Sequence, residues 1–334
     1  MYTEKDVAVV IPTYNRAKDV DLTLRSLFEN NNSPGAVYII DQSPNNLTVE
    51  VVRKYANKHK RVYFIKSMPP STAKATNIGL RKAQKFRITL MLDDDVTCLP
   101  GFLKGLLSEL NQNPRLYGVA AWDTIREATK LWYPLEVFKK IVLNFFLLPS
   151  VVNKKFKVLG PCGNTGSYIK RRRIPDAEWF PGVNMCYRSE ALKNYSLPEP
   201  LGYNLLQDMD ISYYVFKKYG NGSLVITDKA LVKHRVSLVE RYDDYKRTLA
   251  GQEDRFIFYY RYFNNPSGKI KFIWSNFGLI LLKTLDFIFR PGRESYFRLK
   301  YSLKALKYCL KNRRQIRDGK YRSFLNKDLS FKGV

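Results

Sequence analysis

Short apolar runs alternate with amphipathic stretches through the first third of the chain. Val7 to Ile11 form a continuous apolar run, closed by Pro12-Thr13 and followed by Val20, Leu24, Leu27 and Phe28 at helical spacing. That pattern predicts a strand, a turn and a helix. The unit recurs as Ala36 to Ile40 before a helix around Val49 to Ala56, as Val62 to Ile65 before a helix reaching Ala83, and as Ile88 to Leu92 before a helix from Gly101. Strands alternating with helices predict right-handed βαβ units, hence an α/β fold with a mostly parallel sheet flanked by helices. Ligands of such sheets bind beyond the carboxyl ends of the strands. The residues expected there are Thr13-Tyr14-Asn15-Arg16, Asp41-Gln42-Ser43 and Asp93-Asp94-Asp95.

The candidate chemistry follows from those strand ends. No GxGxxG or GxxxxGK[ST] segment occupies the turns, which disfavours a dinucleotide fingerprint and a phosphate-cradling P-loop. Three consecutive carboxylates after an apolar strand repel one another unless they are solvated or bridged by a cation. A hard divalent ion, Mn2+ or Mg2+, fits oxygen ligands of this kind, and the other reading is a solvated acidic turn ahead of the helix that follows Pro100. Gln207-Asp208-Met209-Asp210 opens a helix-like segment and offers a general base or a helix cap. His234 ends a strand-like run and offers a nitrogen ligand or a structural imidazole. Phe180-Pro181-Gly182-Val183-Asn184-Met185 contains a glycine that permits close approach of a substrate or makes a turn.

Taken together, VAVVIPTYNR, the strand ending in Asp41, Asn77-Ile78-Gly79, LMLDDDV, GVNMCYR, QDMD and the later Lys233-His234 resemble the family 2 glycosyltransferases of GT-A fold, over roughly residues 5 to 240. The resemblance implies an inverting, metal-dependent enzyme that uses a nucleotide-diphospho-sugar. It implies nucleotide-sugar contacts from Pro12, Thr13, Tyr14, Arg16, Asp41, Asn77, Gly79, Asp93 and Asp94, with Lys74 as the nearby cation in place of the arginine absent at Thr76, and metal ligation by Asp93, Asp95 and His234. Asp208 falls at the catalytic base, with Asp210 as its local rival, and Trp179, Gly182, Asn184 and Gln207 are expected on the acceptor or sugar side. The chain departs from the family pattern at Gln42, where a second acid is common, at Thr76, where an arginine often precedes the asparagine, and at Gln207, where glutamate is usual. A Mg2+-dependent nucleotidyltransferase and a catalytically silent membrane-surface protein are the alternative classes.

Charge changes the picture of the C-terminus. Lys and Arg number 57 against 30 Asp and Glu, a formal charge of +27, which implies an anionic partner. Between residues 255 and 334 there are 19 Lys or Arg and four Asp or Glu, so much of the excess lies there. On a helix from Tyr296, Leu299, Leu303, Leu306 and Leu310 share a stripe beside Lys300, Lys304, Lys307 and Lys311, the pattern of a basic amphipathic helix at a membrane surface. No zinc finger or RNP motif supports nucleic acid as the partner.

The expected domains are therefore 1–240, catalytic, with a donor half at 1–123 and an acceptor half at 124–240, and 241–334, a basic helical membrane-associating region. The insertion at 125–178, with Trp132, Tyr133, an apolar run at 141–152 and Lys170 to Arg173, is expected to shape the acceptor side, which is consistent with a glycan or polyprenyl-linked acceptor. Four scattered cysteines without a CxxC pair, and an N-terminus without signal-peptide features, predict a cytoplasmic location at the membrane face. The apolar runs at Ile141 to Val152 and Phe272 to Leu282 fall short of the roughly 20 residues of a spanning helix, so none is expected.

Overall fold

The computed structural model describes residues 1–30, 32–125, 141–148, 156–165, 172–199, 205–237, 239 and 244–320. The insertion residues Trp132 and Tyr133 and the basic pair Lys170 and Arg171 lie outside these. The chain divides into two compact units, one comprising 1–130, 167–197 and 207–240, the other 131–166, 198–206 and 241–334.

In the first unit the expected alternation appears as β1 (Val7–Thr13), α1 (Ala17–Glu29), β2 (Ala36–Asp41), α2 (Leu47–Lys58), β3 (Val62–Lys66), α3 (Thr72–Ala83), β4 (Ile88–Leu92), β5 (Val96–Cys98) and α4 (Phe102–Gln112). It continues with β6 (Gly118–Asp123), β9 (Asn184–Arg188), α5 (Gln207–Tyr219) and β10 (Leu224–His234). These strands form one eight-stranded sheet in the order β3-β2-β1-β4-β9-β6-β10-β5. The apolar run of β1 is wholly buried, as a strand covered on both faces requires. β1 and β2 extend past their apolar runs because the ladder continues through polar residues, with Thr13 opposite Asp41. Helix α3 begins where the Ser71 side chain accepts from the Lys74 amide. It can lie against β1 because position 79 is glycine: a Cβ there would stand 2.1 Å from Val10 Cγ1.

Two registers position the site. β9 runs antiparallel to β4, with Asn184 opposite Leu92, so the start of β9 reaches the rim where β4 ends. β10 runs antiparallel to β5, with His234 opposite Val96, which brings the histidine beside the residue before Val96.

The second unit holds the β7 (Lys157–Gly160) and β8 (Gly163–Thr165) hairpin, with helices α6 (Asp244–Tyr262), α7 (Pro266–Phe289), α8 (Arg293–Lys311) and α9 (Arg313–Arg317). Helix α7 corrects the expectation that no helix is long enough to span a bilayer. It has 24 residues and a mean hydropathy of 1.5 over its most apolar 18-residue window. The apolar run was cut at Lys283, but the backbone is helical through that lysine and back to Pro266. Asn265 caps the start by accepting from the Gly268 amide at 2.8 Å, and Pro291, which disfavours helical backbone at Arg290, follows the end.

Helix α8 forms where the leucine stripe predicted it, yet its buried positions are Ser295, Ser302, Ala305 and Cys309. Leu303 and Leu310 are exposed.

Candidate active site

The acidic turn after β4 splits into two roles because alternate residues point in opposite directions. Asp94 turns inward and is 4% exposed. Its carboxylate accepts from the Thr13 hydroxyl at 2.7 Å and from Arg16 Nη1 at 3.1 Å, and its carbonyl accepts from the Thr23 hydroxyl. Burial pushes its pKa up to about 6 against the opposing pull of Arg16 and Thr13. Asp94 therefore binds the loop after β1 to the turn after β4, and Arg16, which also donates to the Val239 carbonyl at 2.9 Å, is held in that network.

Asp93 and Asp95 face the other way. Together with His234 they present ligand atoms that all lie within 4.8 Å of one another. His234 Nε2 stands 3.1 Å from Asp95 Oδ1, and the Ser237 amide donates to Asp95 Oδ2 at 2.8 Å. Burial would raise the Asp95 pKa, but the hydrogen bond and charge of His234, the Ser237 amide and Arg16 outweigh it and hold the acid near 2. Two carboxylates and an imidazole suit a divalent cation that accepts oxygen and nitrogen donors. The β5–β10 register sets His234 beside Asp95, and a left-handed backbone at Val236 follows before the Ser237 amide meets the same carboxylate.

A hydrogen-bonded path leads from Asp93 to Asp208. The Asp93 amide donates to the Val183 carbonyl at 3.1 Å, and the neighbouring Gly182 amide donates to Asp208 Oδ2 at 2.9 Å. Asp208 Oδ1 accepts from the Met209 amide at 2.8 Å, so both oxygens of this half-buried carboxylate are oriented. A Cβ at 182 would stand 3.4 Å from Asp208 Cβ, an ordinary contact, so Gly182 packs directly on the Asp208 side chain. Asp210, by contrast, is fully buried and accepts from the Tyr195 hydroxyl at 2.6 Å. Of the two carboxylates in QDMD, Asp208 alone is accessible. Gln207 accepts from the Thr76 hydroxyl at 3.5 Å, and Trp179 is half-buried on the segment leading to Gly182.

Several of the expected contact residues make hydrogen bonds or packing contacts within the protein. Asn77 is buried and ties α3 to the backbone of Leu197, donating to its carbonyl at 2.8 Å and accepting from its amide at 2.9 Å. Gly79 packs on Val10, within the core. The two lie on different sides of α3: Gly79 faces β1, and Asn77 faces the segment at Leu197. Asn184 is buried and bonds the amide and carbonyl of Ala121, which bridges β9 to β6. Lys74 donates to the Met68 carbonyl at 2.8 Å. Pro12 and Tyr14 lie, with Thr13, at the end of β1 and in the loop that follows.

Asp41 is fully buried; it accepts from the amide and hydroxyl of Ser43 and from Lys66 Nζ at 2.9 Å. Lys66 was not singled out from the sequence, although the β2–β3 register pairs it with Asp41. Arg235 was also missed: it donates to Thr23 at 3.0 Å and Thr97 at 2.9 Å behind the acidic turn. Its position next to His234 was the available signal.

Residues 8–173 match the model of the glycosyl transferase family 2. Among solved structures, a mannosyltransferase from Pyrobaculum calidifontis determined with GDP-Man and Mn2+ is similar with a TM-score of 0.51 and 15% identity, over 92% of this chain and 75% of that one. S. aureus TarS 1–349, determined with UDP-GlcNAc, gives 0.51 and 14%, over 97% and 91% respectively. GalNAc-T7 with UDP, GalNAc and Mn2+ gives 0.54 and 12%, over 92% of this chain and 57% of its own. At such identities the structural likeness speaks for the GT-A fold, and the family match speaks for the chemistry. The chain carries a family 2 glycosyltransferase domain.

Proposed function

We propose that this glycosyltransferase moves a sugar from a nucleoside-diphosphate sugar to a hydroxyl of a glycan or lipid-linked acceptor, with inversion at the anomeric carbon, at the cytoplasmic face of an acidic membrane. The observation that carries the reading is the convergence of Asp93, Asp95 and His234 on one rim of the sheet, with Asp208 linked to that rim through Gly182 and Val183. Asp93, Asp95 and His234 would hold Mn2+ or Mg2+. When bound, the cation neutralises the diphosphate and stabilises it as the leaving group.

The protein's own residues supply position and proton transfer. Asp208 takes the proton of the acceptor hydroxyl while that oxygen attacks the anomeric carbon and the bond to the diphosphate breaks. The two amides on its oxygens fix the plane of the carboxylate, so it is aimed before the acceptor arrives. Asp94, Thr13 and Arg16 lock the first loop against the acidic turn, which keeps the donor pocket and the metal ligands in one geometry. Asp41 and Lys66 occupy the end of the crevice where the base is read, and Trp179, Gly182 and Gln207 line the acceptor side. The basic C-terminal helices support placement at an acidic membrane, where each Lys or Arg near the surface contributes about 1 kcal/mol. Four free, buried thiols accord with a reducing compartment.

The test is the identity of the released nucleotide when the protein is incubated with nucleoside-diphosphate sugars, Mn2+ and candidate acceptors. Nucleoside diphosphate is expected. Release of pyrophosphate would indicate attack at phosphorus and refute the reading.

A further inference from the structure

Helices α7 and α8 have the sidedness of helices whose surroundings are apolar. On α7 the buried positions are Gly268, Phe272, Ser275, Asn276 and Gly278, of which only Phe272 is large. Outward stand Ile270 at 70% exposure, Ile273 at 58%, Phe277 at 54%, Ile288 at 59% and Phe289 at 78%. Ile270, Ile273, Phe277 and Ile288 fall close to one line along the helix. Helix α8 repeats the arrangement, with small residues inward and Tyr296, Leu303 and Leu310, seven residues apart, outward. A helix that faces water puts its large apolar residues on the packed side, whereas small residues at the packed side with bulky ones outside is the habit of helices in lipid.

The insertion adds to the same surface. Phe145, 63% exposed, meets Trp274 edge-on at 5.2 Å and accepts from the Trp274 indole on its carbonyl.

Charge identifies the occupant. Lys269 and Lys271 flank the start of the α7 stripe, Arg290 and Arg293 stand just beyond its end, and Lys300, Lys304, Lys307 and Lys311 run along α8. Apolar side chains bordered by cations complement an anionic bilayer, with acyl chains under the stripe and phosphates at its margins. Resting on the membrane-surface reading above, we infer that the outward face of α7 inserts into the acyl boundary of an anionic bilayer and lies in its plane, while the lysines of α8 act at the headgroups.

A spanning orientation conflicts with the packing. α7 is long enough to cross, but charged helices of its own unit contact it toward both ends: Phe272 stacks on Tyr259 of α6 at 4.4 Å, and Asp286 lies 3.9 Å from Arg298 of α8. Crossing would draw these lysine- and arginine-bearing helices into the hydrocarbon, which is costly for each charge.

The experiment is co-sedimentation of the full chain with neutral vesicles and with vesicles containing about 30% anionic lipid, at low salt and at about 1 M, where the Debye length is about 3 Å. The wild type should bind the anionic vesicles and keep part of that binding at high salt. Ile273→Ser and Phe277→Ser should each lower partitioning about tenfold at both salts; Ile273→Ser, which loses no ring contact, should leave melting nearly unchanged, and Phe277→Ser, which loses contacts to Phe146 and Trp274, is assayed below its own melting transition. Lys304→Gln with Lys307→Gln should matter at low salt only. If high salt releases the wild type completely and the serine variants match it, insertion is wrong while the membrane-surface reading stands. If the wild type binds no vesicle, both readings fall. If the serine substitutions instead convert a lipid-free dimer to a monomer, the face belongs to a second copy of the chain and the inference is overturned.

Discussion

Asp208→Asn should lower the turnover of sugar transfer by about 10²- to 10⁴-fold, the usual worth of a positioned general base, while donor binding stays within a few-fold of the wild type. The substitution is nearly isosteric, and the amide oxygen can still accept from one of the two backbone donors, Gly182 or Met209. Loss of the other hydrogen bond costs about 1 kcal/mol, too little to unfold the unit. The deficit should therefore fall on turnover and leave the Michaelis constant for the donor almost unchanged, the signature of an interaction made only in the transition state. Steady-state kinetics with a labelled donor read both quantities. Near-normal turnover would remove Asp208 from its role. Asp210, buried under Tyr195, could not take over without local unfolding.

Asp95→Ala should act on a different step. It removes one of the three groups that converge on the metal position and leaves His234 Nε2 and the Ser237 amide without their acceptor. Hydrogen-bonded partners that orient a metal ligand typically matter 10- to 100-fold in affinity, and loss of the ligand itself should exceed that. The expected result is that Mn2+ no longer strengthens binding of a nucleoside-diphosphate sugar, measured by titration calorimetry with and without EDTA. Metal-stimulated binding equal to that of the wild type would contradict the assignment. A cooperative melting transition in the same variant separates lost ligation from lost folding.

The alternation of strands and helices was legible because β1, β2 and β4 are buried on both faces and read as short apolar runs, interrupted only by Thr89 in β4. The metal position was legible as well, since an acidic turn at a strand end and a histidine at another are local signals that the sheet later joins. Local patterns could not distinguish exposed from buried polar residues. Asp93, Asp94 and Asp95 are identical in sequence, and only the backbone decides that the middle one supports Arg16. Asn77 and Gly79 carry family signal yet are held inside the unit, one by Leu197 and the other by Val10, and Lys66 became visible only through its register with Asp41.

The helices of the second unit show the same limit in another form. Periodicity places Leu299, Leu303, Leu306 and Leu310 on one stripe of α8 but does not give its direction: Leu303 and Leu310 are exposed, and Leu299 and Leu306 are half-buried at its edge. The apolar run Phe272 to Leu282 is shorter than α7 because residues such as Lys283 interrupt hydropathy without interrupting the backbone, lysine being a good helix former.

A thermal-shift screen of nucleoside-diphosphate sugars of different bases and sugars, with and without Mn2+, tests the proposed metal-dependent donor site on the unaltered protein. At least one donor together with Mn2+ should raise Tm by about 5 °C at roughly 100 times its Kd, and EDTA should abolish the shift. If no donor shifts Tm with either Mn2+ or Mg2+, or if the shift is as large in EDTA, the site formed by Asp93, Asp95 and His234 is not what holds the donor.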